Sequence, residues 1–405
     1  MVANWTDEQR KAIFTERSNV LVAAGAGAGK TAVLVERIIR KITDPDLDID
    51  IDKLLVVTYT NAAAAEMKER IGDELQKLLE DNFESRRLQR QLTLLNQSNI
   101  MTMHSFCLKI IKNNFQLVDL DPNFRVSDNE ESILLKRDAV FELFEEKYDS
   151  NDSSFLNLID SYGDKNDTKV QDIVISLYEF VQSVPWPEKW LNKASEQFNL
   201  SDDFEFETSL WAQIIISDLK VEIKSLRDRL KRALELIFEN PGFEGYEPIF
   251  KNEVGEFEYL LKLKSWNEID NYVQELKFQR LPRLKSGSYD EDIKIRVTKT
   301  RDNVKKRLKH IMENILNYGD DVDKSIRDMY PVMKCLTDLV MDFANKYADK
   351  KRERNILDFS DIEHFCLNIL TRKDKSGDII PSEAALEYRE YFEEIFIDEY
   401  QDSNE

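Results

Sequence analysis

The sequence predicts an α/β protein in which a parallel sheet is interrupted by a large, mainly α-helical insertion. Three observations carry this. Short apolar runs of strand length alternate with helical patterns over residues 1–127. Long amphipathic helical patterns dominate from 128 to 350, and an apolar strand pattern returns near 394.

The elements follow in order. Residues 19–24 hold Val20-Leu21-Val22, too short for a globular helix and suited to a buried strand. Thr31 to Ile42 has helical spacing, with Val33, Leu34, Ile38, Ile39 and Ile42 on one face, and Asp44-Pro45-Asp46-Leu47-Asp48 ends it. Leu54-Leu55-Val56-Val57 reads as a second buried strand, followed by an Ala-rich helix from about Ala62. A third short strand near Ile100 to Thr102 leads into another helix. Strands alternating with helices imply a parallel sheet.

Beyond residue 128, Ser132 to Tyr148 and Leu210 to Phe238 are the clearest helices. Breaks gather at Pro185-Trp186-Pro187 and Asn240-Pro241-Gly242, and no fixed repeat period is present. Glu394-Ile395-Phe396-Ile397-Asp398 is again a buried strand. The α/β domain is therefore expected in two parts, 1–127 and 351–405, around an insertion spanning 128–350. The sequence stops at Glu405, before the helix that a βαβ unit requires, so a piece of a longer protein is expected.

Composition narrows the function classes. With 42% hydrophobic and 33% charged residues and no run of 18 apolar residues, the 405-residue chain reads as globular and helix-rich, without a membrane span. Met1-Val2-Ala3-Asn4-Trp5 lacks a signal-peptide pattern. Cys107, Cys335 and Cys366 are far apart with no metal-type spacing, so they are expected as small buried side chains in a reducing cytoplasm. A net charge of −21 argues against a protein that coats nucleic acid over its whole surface. Between 277 and 309, however, twelve Lys/Arg stand against four Asp/Glu. That stretch is either a solvated helical face or a basic track.

Ala24-Gly25-Ala26-Gly27-Ala28-Gly29-Lys30-Thr31 sits between an expected strand and a helix, where a phosphate loop belongs. Glycines let the backbone approach phosphates, and the helix N-terminus supplies N–H donors and a positive dipole end. Lys30 can reach the β and γ phosphates of ATP, and the Thr31 hydroxyl can ligate Mg²⁺. The loop departs from GxxxxGK[ST] only at Ala24, which takes the place of the first glycine. Near the C-terminal end, Asp398-Glu399-Tyr400-Gln401-Asp402 follows an apolar strand. An aspartate at such a tip can hold the metal, and Glu399 can polarise the attacking water.

Taken with Thr60-Asn61-Ala62-Ala63-Ala64-Ala65-Glu66-Met67 and Thr102-Met103-His104-Ser105-Phe106, this order of motifs resembles superfamily 1 DNA helicases of the UvrD/RecB kind. The quadruple alanine, Leu276-Lys277-Phe278-Gln279-Arg280-Leu281-Pro282 and Leu357-Asp358-Phe359-Ser360-Asp361-Ile362-Glu363-His364 look like that family's helicase–nuclease subunits. The resemblance spans essentially the whole chain, with its strongest motifs at the two ends.

That resemblance implies a RecA-like P-loop NTPase domain using ATP and Mg²⁺. Gln9, within Trp5-Thr6-Asp7-Glu8-Gln9, would read adenine. Residues 24–31 would bind the phosphates, Thr31 and Asp398 the metal. Lys30, Glu399 and Gln401 would serve catalysis, with Gln401 sensing the γ-phosphate. Tyr59, Thr60, Asn61, His104 and Ser105 would touch single-stranded DNA; Tyr59 stands where the family usually has Phe. Implied partners are single-stranded and duplex DNA and an AddB-like subunit in a heterodimer. Ala28 departs from the family's usual Ser or Thr, removing one hydroxyl contact to phosphate. The family's second RecA-like domain supplies arginines from across a cleft, so the chain alone would hydrolyse ATP slowly. Local readings remain beside these roles. The alanine run is a good helix former, a lone His is often structural, and Asp358 and Asp361 suit a helix N-cap. The alternatives are a stand-alone UvrD-type repair helicase and a non-hydrolytic scaffold for a partner subunit.

Overall fold

The computed structural model of the chain describes residues 5–16, 18–25, 27–163, 167–201, 203–316 and 322–403. It divides into two compact units, residues 1–191 with 338–405, and residues 192–337.

Helix α1 (Asp7–Phe14) opens on a capping box in which Thr6 and Gln9 satisfy each other's backbone N–H. Helix α2 (Lys30–Thr43) buries Val33, Val35, Ile38, Ile39 and Ile42. Strand β1 (Leu54–Thr58) is buried along its whole length, as a central parallel strand must be. Helices α3 (Asn61–Asp81) and α4 (Arg86–Leu95) follow, then β2 (Asn99–Thr102) and α5 (Met103–Asn113). Thr60 and Thr102, at the ends of the strand segments, cap α3 and α5 through their hydroxyls.

A two-residue strand, β3 (Arg125–Val126), precedes α6 (Asn129–Asp149), α7 (Ser153–Tyr162), α8 (Thr168–Val181) and α9 (Pro187–Glu196). The second unit is helical: α10 (Leu210–Glu239), α11 (Glu247–Leu260), α12 (Trp266–Glu275) and α13 (Glu291–Ile311). Its core joins Leu226 and Leu230 of α10, Phe250 and Phe257 of α11, and Val304 and Leu308 of α13. The long α14 (Val322–Glu353) leads to β4 (Ile356–Leu357), α15 (Phe359–Leu370), a β5 (Thr371–Lys373)–β6 (Ile379–Pro381) hairpin, α16 (Glu383–Tyr391) and β7 (Glu394–Ile397).

The main sheet has the order β2-β1-β7, all parallel, with Val56 opposite both Ile100 and Phe396. Strands β3 and β4 form a separate parallel pair. Leu54, Val56 and Phe396 pack with Ile38 and Ile42 of α2 and Met67, Ile71 and Leu75 of α3. Each such buried aliphatic contributes about 1.5–3 kcal/mol relative to exposure.

One expected strand is not formed. Residues 19–25 carry no ladder, and Val20, Leu21 and Val22 are 41%, 80% and 46% exposed. An apolar run sets burial preference, but a strand exists only where a neighbour takes its N–H and C=O groups. Among the described residues, β7 is paired on one side only, with β1. No helix among the described residues is long and apolar enough to cross a membrane.

Candidate nucleotide and DNA site

The loop before α2 has the backbone that its glycines permit. Gly27 (φ 76°) and Gly29 (φ 80°) lie in the left-handed region, where a side chain is strained. Ala26 lies outside the described residues. The first intrahelical bond of α2 runs from Val33 N–H to the Gly29 carbonyl at 2.9 Å. The N–H groups of Lys30, Thr31 and Ala32 thus point out of the positive helix end. Lys30 Nζ donates to the Ala24 carbonyl at 3.1 Å, and Gln9 Nε2 donates to the Ala28 carbonyl at 3.2 Å. Gln9 is therefore bound to the loop it is expected to serve, through a helix whose start it also caps.

Two ion pairs that the sequence reading missed align α2 with β7. Lys41 Nζ lies 2.7 Å and Arg37 Nη2 3.7 Å from Glu394, at the beginning of β7, and both cations are largely buried. Arg37 also donates to the Ala12 carbonyl of α1 at 2.7 Å. With the end of α2 tied to the start of β7, the start of α2 lies toward the end of β7. Lys30 accordingly acts electrostatically on Asp398. The signal in the sequence was an i, i+4 pair of cations on a helix face that buries, paired with an acid opening an apolar strand.

Asp398 follows β7 and donates its N–H to the Val57 carbonyl at 2.9 Å, so the ladder positions it. Its carboxyl is pushed above the usual carboxylate range by burial and by the charge of Glu399, against the opposing effects of the Glu399 N–H and Lys30. Glu399 has φ 52°, a turn conformation that is strained for a non-glycine residue. Its carboxylate accepts from Gln401 Nε2. Thr31 and Asp398 offer hard oxygen donors near phosphate-binding N–H groups, and Asp398 and Glu399 are under-compensated anions. This donor set fits Mg²⁺.

The DNA-motif residues lie at the next strand ends. Thr58 of β1 is opposite Thr102 of β2, so the segments that follow them, 59–61 and 103–105, start side by side. Tyr59 is 67% exposed and Asn61 is exposed. Thr60 uses its hydroxyl to accept from Ala63 N–H, and its carbonyl accepts from Thr58. The Ser105 hydroxyl lies 2.9 Å from that of Thr102, the cap of α5. His104 Nε2 lies 3.1 Å from Glu363 of α15, and its ring meets Phe359 edge-on at 5.2 Å. That hydrogen bond to Glu363 raises the His104 pKa, against the opposing effect of burial. Phe359, 58% exposed, was not singled out from the sequence. The signal was an aromatic directly after a cap aspartate, a position that faces outward.

Residues 5–405 match the UvrD/REP helicase N-terminal domain. The chain belongs to that family. Over its full length it is 56% identical to the ATP-dependent helicase/nuclease subunit of Clostridium kluyveri, covering 33% of that protein. Over 99% of its length it is 50% identical to the subunit of that name from Clostridium botulinum strain Loch Maree, covering 31%. It is also 50% identical to one from Thermoanaerobacter sp. strain X514, covering 33%. The chain thus spans about a third of the length of these curated relatives.

In the second unit the basic stretch is not one helical face. Residues 276–285 run without helix, with Leu276, Phe278, Leu281 and Leu284 against the core and Lys277, Arg280, Arg283 and Lys285 exposed. The segment is fastened by Arg301, which donates to the Gln279 carbonyl at 2.6 Å and pairs with the buried Glu253. Arg296, Lys299 and Lys306 are exposed on α13.

Proposed function

We propose that this chain is the ATP-binding part of an ATP-dependent single-stranded DNA translocase, within an AddA-type helicase–nuclease subunit that acts in double-strand-break repair and recombination. The observation that carries the proposal is the placement of a Gly-Lys-Thr helix start toward the acidic tip of β7, with exposed Tyr59 and His104 on neighbouring strand ends. Residues 1–127 and 351–405 form the first RecA-like domain and 128–350 the insertion, of which 192–337 is a separate compact unit.

In this reading Gln9 contacts adenine, and residues 24–31 cradle the phosphates with backbone N–H groups. Lys30 leaves the Ala24 carbonyl to meet the β and γ phosphates. Thr31 and Asp398 hold Mg²⁺, which neutralises phosphate charge when bound. Glu399 accepts a proton from the attacking water, and Gln401, already bonded to Glu399, links that group to the γ-phosphate position. Tyr59 stacks on a base without reading sequence, while Thr60, Asn61, His104 and Ser105 position the backbone. Phe359 adds a second exposed ring beside His104. The relatives' printed name supports a helicase–nuclease over a stand-alone repair helicase. We extend the reading to a cytoplasmic heterodimer with an AddB-like subunit, and to duplex DNA held by the anchored basic segment 277–285 and α13.

The test is calorimetry of Mg·ATP binding with and without a single-stranded oligonucleotide, on this chain and on Lys30→Ala. Binding that is coupled to the oligonucleotide and lost in the variant is expected. Robust strand separation by the chain alone would contradict the need for a second domain.

A further inference from the structure

Both groups that meet His104 lie on α15, Phe359 at its first position and Glu363 four residues later. A helix of 12 residues is not stable alone, so the placement of its first turn depends on capping and packing. The cap here is reciprocal and doubly acidic. Asp358 accepts from Asp361 N–H and Asp361 accepts from Asp358 N–H, each at 2.9 Å. Lys351, in the last turn of α14, closes the pair: Nζ lies 3.0 Å from Asp358 Oδ2 and 2.6 Å from both oxygens of Asp361.

This cluster is enclosed. Lys351 is 3% exposed, its ammonium lies 4.2 Å from the centre of the Tyr347 ring, and buried Tyr178 also faces the carboxylates. Burial and the neighbouring Asp358 raise the proton affinity of Asp361 despite Lys351. At Asp358 burial acts the same way, but Lys351 and the Asp361 N–H outweigh it and hold the carboxyl low. A neutral Ser or Thr would cap α15 for about 1 kcal/mol, whereas burying charges costs several kcal/mol per ion. Capping alone does not account for three buried charges. The three-way tie additionally fixes the end of α14 against the start of α15, on either side of β4.

We infer that Lys351 is a positioning residue for the single-stranded DNA surface: by holding Asp358 and Asp361 it sets where Phe359 and Glu363 meet His104. The inference rests on the reading of that surface given above. It makes Lys351 act through α15, without touching nucleotide or DNA.

The experiment uses Lys351→Met combined with Asp361→Asn, which leaves the cluster its original net charge of −1 but removes the tie. Lys351→Arg serves as the conservative control, and Asp361→Ser keeps the Asp358 cap should the double variant not fold. Oligothymidylate binding is read by fluorescence anisotropy, Mg·ATP binding by calorimetry, and the His104 pKa by NMR of its ring proton. The double variant is expected to bind oligothymidylate at least fivefold more weakly, with Mg·ATP affinity within twofold of the parent. Its His104 pKa is expected to fall toward the ordinary value of about 6.5 as Glu363 moves away. Asp361→Ser should show the same changes in weaker form, and Lys351→Arg should restore both. A folded double variant, or Asp361→Ser, with parental DNA affinity and parental His104 pKa overturns the inference. Phe359→Ala separates the two levels. If it weakens DNA binding while the Lys351 variants do not, only the positioning role fails; if it too has no effect, the DNA surface itself is misassigned.

Discussion

The Lys30 ammonium folds back on its own loop and donates to the Ala24 carbonyl at 3.1 Å. That bond is exposed and contributes only about 0.5–1.5 kcal/mol net, so a phosphate oxygen can displace the carbonyl easily. Lys30→Ala should therefore leave the thermal midpoint nearly unchanged while weakening Mg·ATP binding at least tenfold. Differential scanning fluorimetry and calorimetry on the same preparation check both halves. ATP affinity that survives the substitution would favour the scaffold reading over a motor.

Asp398 gives a prediction of opposite sign to the usual paired carboxylate. Its folded-state pKa lies above the unfolded value, chiefly through burial and then through Glu399. The folded form thus binds the proton more tightly, and its contribution to stability is greatest at low pH and is lost as pH rises through the folded pKa. At neutral pH, without metal, the ionised Asp398 opposes folding. Asp398→Asn should raise the melting temperature in chelator and abolish the further rise that Mg·ATP gives the parent. A lower melting temperature in chelator would show that Asp398 is compensated by something else.

Tyr59 is exposed enough that its removal should not affect folding. Loss of a stacked base costs about 1–3 kcal/mol, so Tyr59→Ala should weaken oligothymidylate binding about 5- to 150-fold and Tyr59→Phe should retain it. Thr60→Ala is expected to behave differently. It removes the α3 cap, costs about 1 kcal/mol of stability, and affects DNA through the mobility of the helix start. Comparing urea midpoints with anisotropy titrations separates the two.

The elements that the sequence made legible are those whose signals are local. The strands 54–58 and 99–102, the helices 30–43, 129–149 and 210–239 and the terminal strand 394–397 all follow from periodicity and length. Val20-Leu21-Val22 had the same composition as a buried strand, yet strand formation depends on a neighbour far away in sequence. The buried pairs Lys41–Glu394 and Arg301–Glu253 were invisible for a related reason. A charged residue is usually exposed, and only the fold reveals that its partner lies hundreds or tens of residues away. The phosphate loop and the Asp398-Glu399 tip were readable because their chemistry demands particular residue types. Phe359 and Glu363 were not, because their place beside His104 comes from the packing of α15 on α5.

The Arg301–Glu253 pair yields a test of the basic segment. Arg301 is 3% and Glu253 4% exposed, and the guanidinium also donates to Gln279 and lies within 5.6 Å of the Phe278 ring centre. Glu253→Gln leaves a buried cation without its counter-charge and should cost the second unit about 3–5 kcal/mol. Replacing both residues, Glu253→Leu with Arg301→Met, removes the desolvation cost together with the attraction and should return stability close to the parent. The double variant nevertheless loses the anchor at Gln279, so residues 277–285 are no longer held in one conformation. If that segment tracks duplex phosphates, the variant should fold normally yet bind a duplex more weakly. Its affinity should also fall less steeply between about 50 and 200 mM salt, because fewer counterions are released. A variant with parental stability, parental affinity and parental salt slope would assign the exposed Lys277, Arg280, Arg283 and Lys285 to solvation alone.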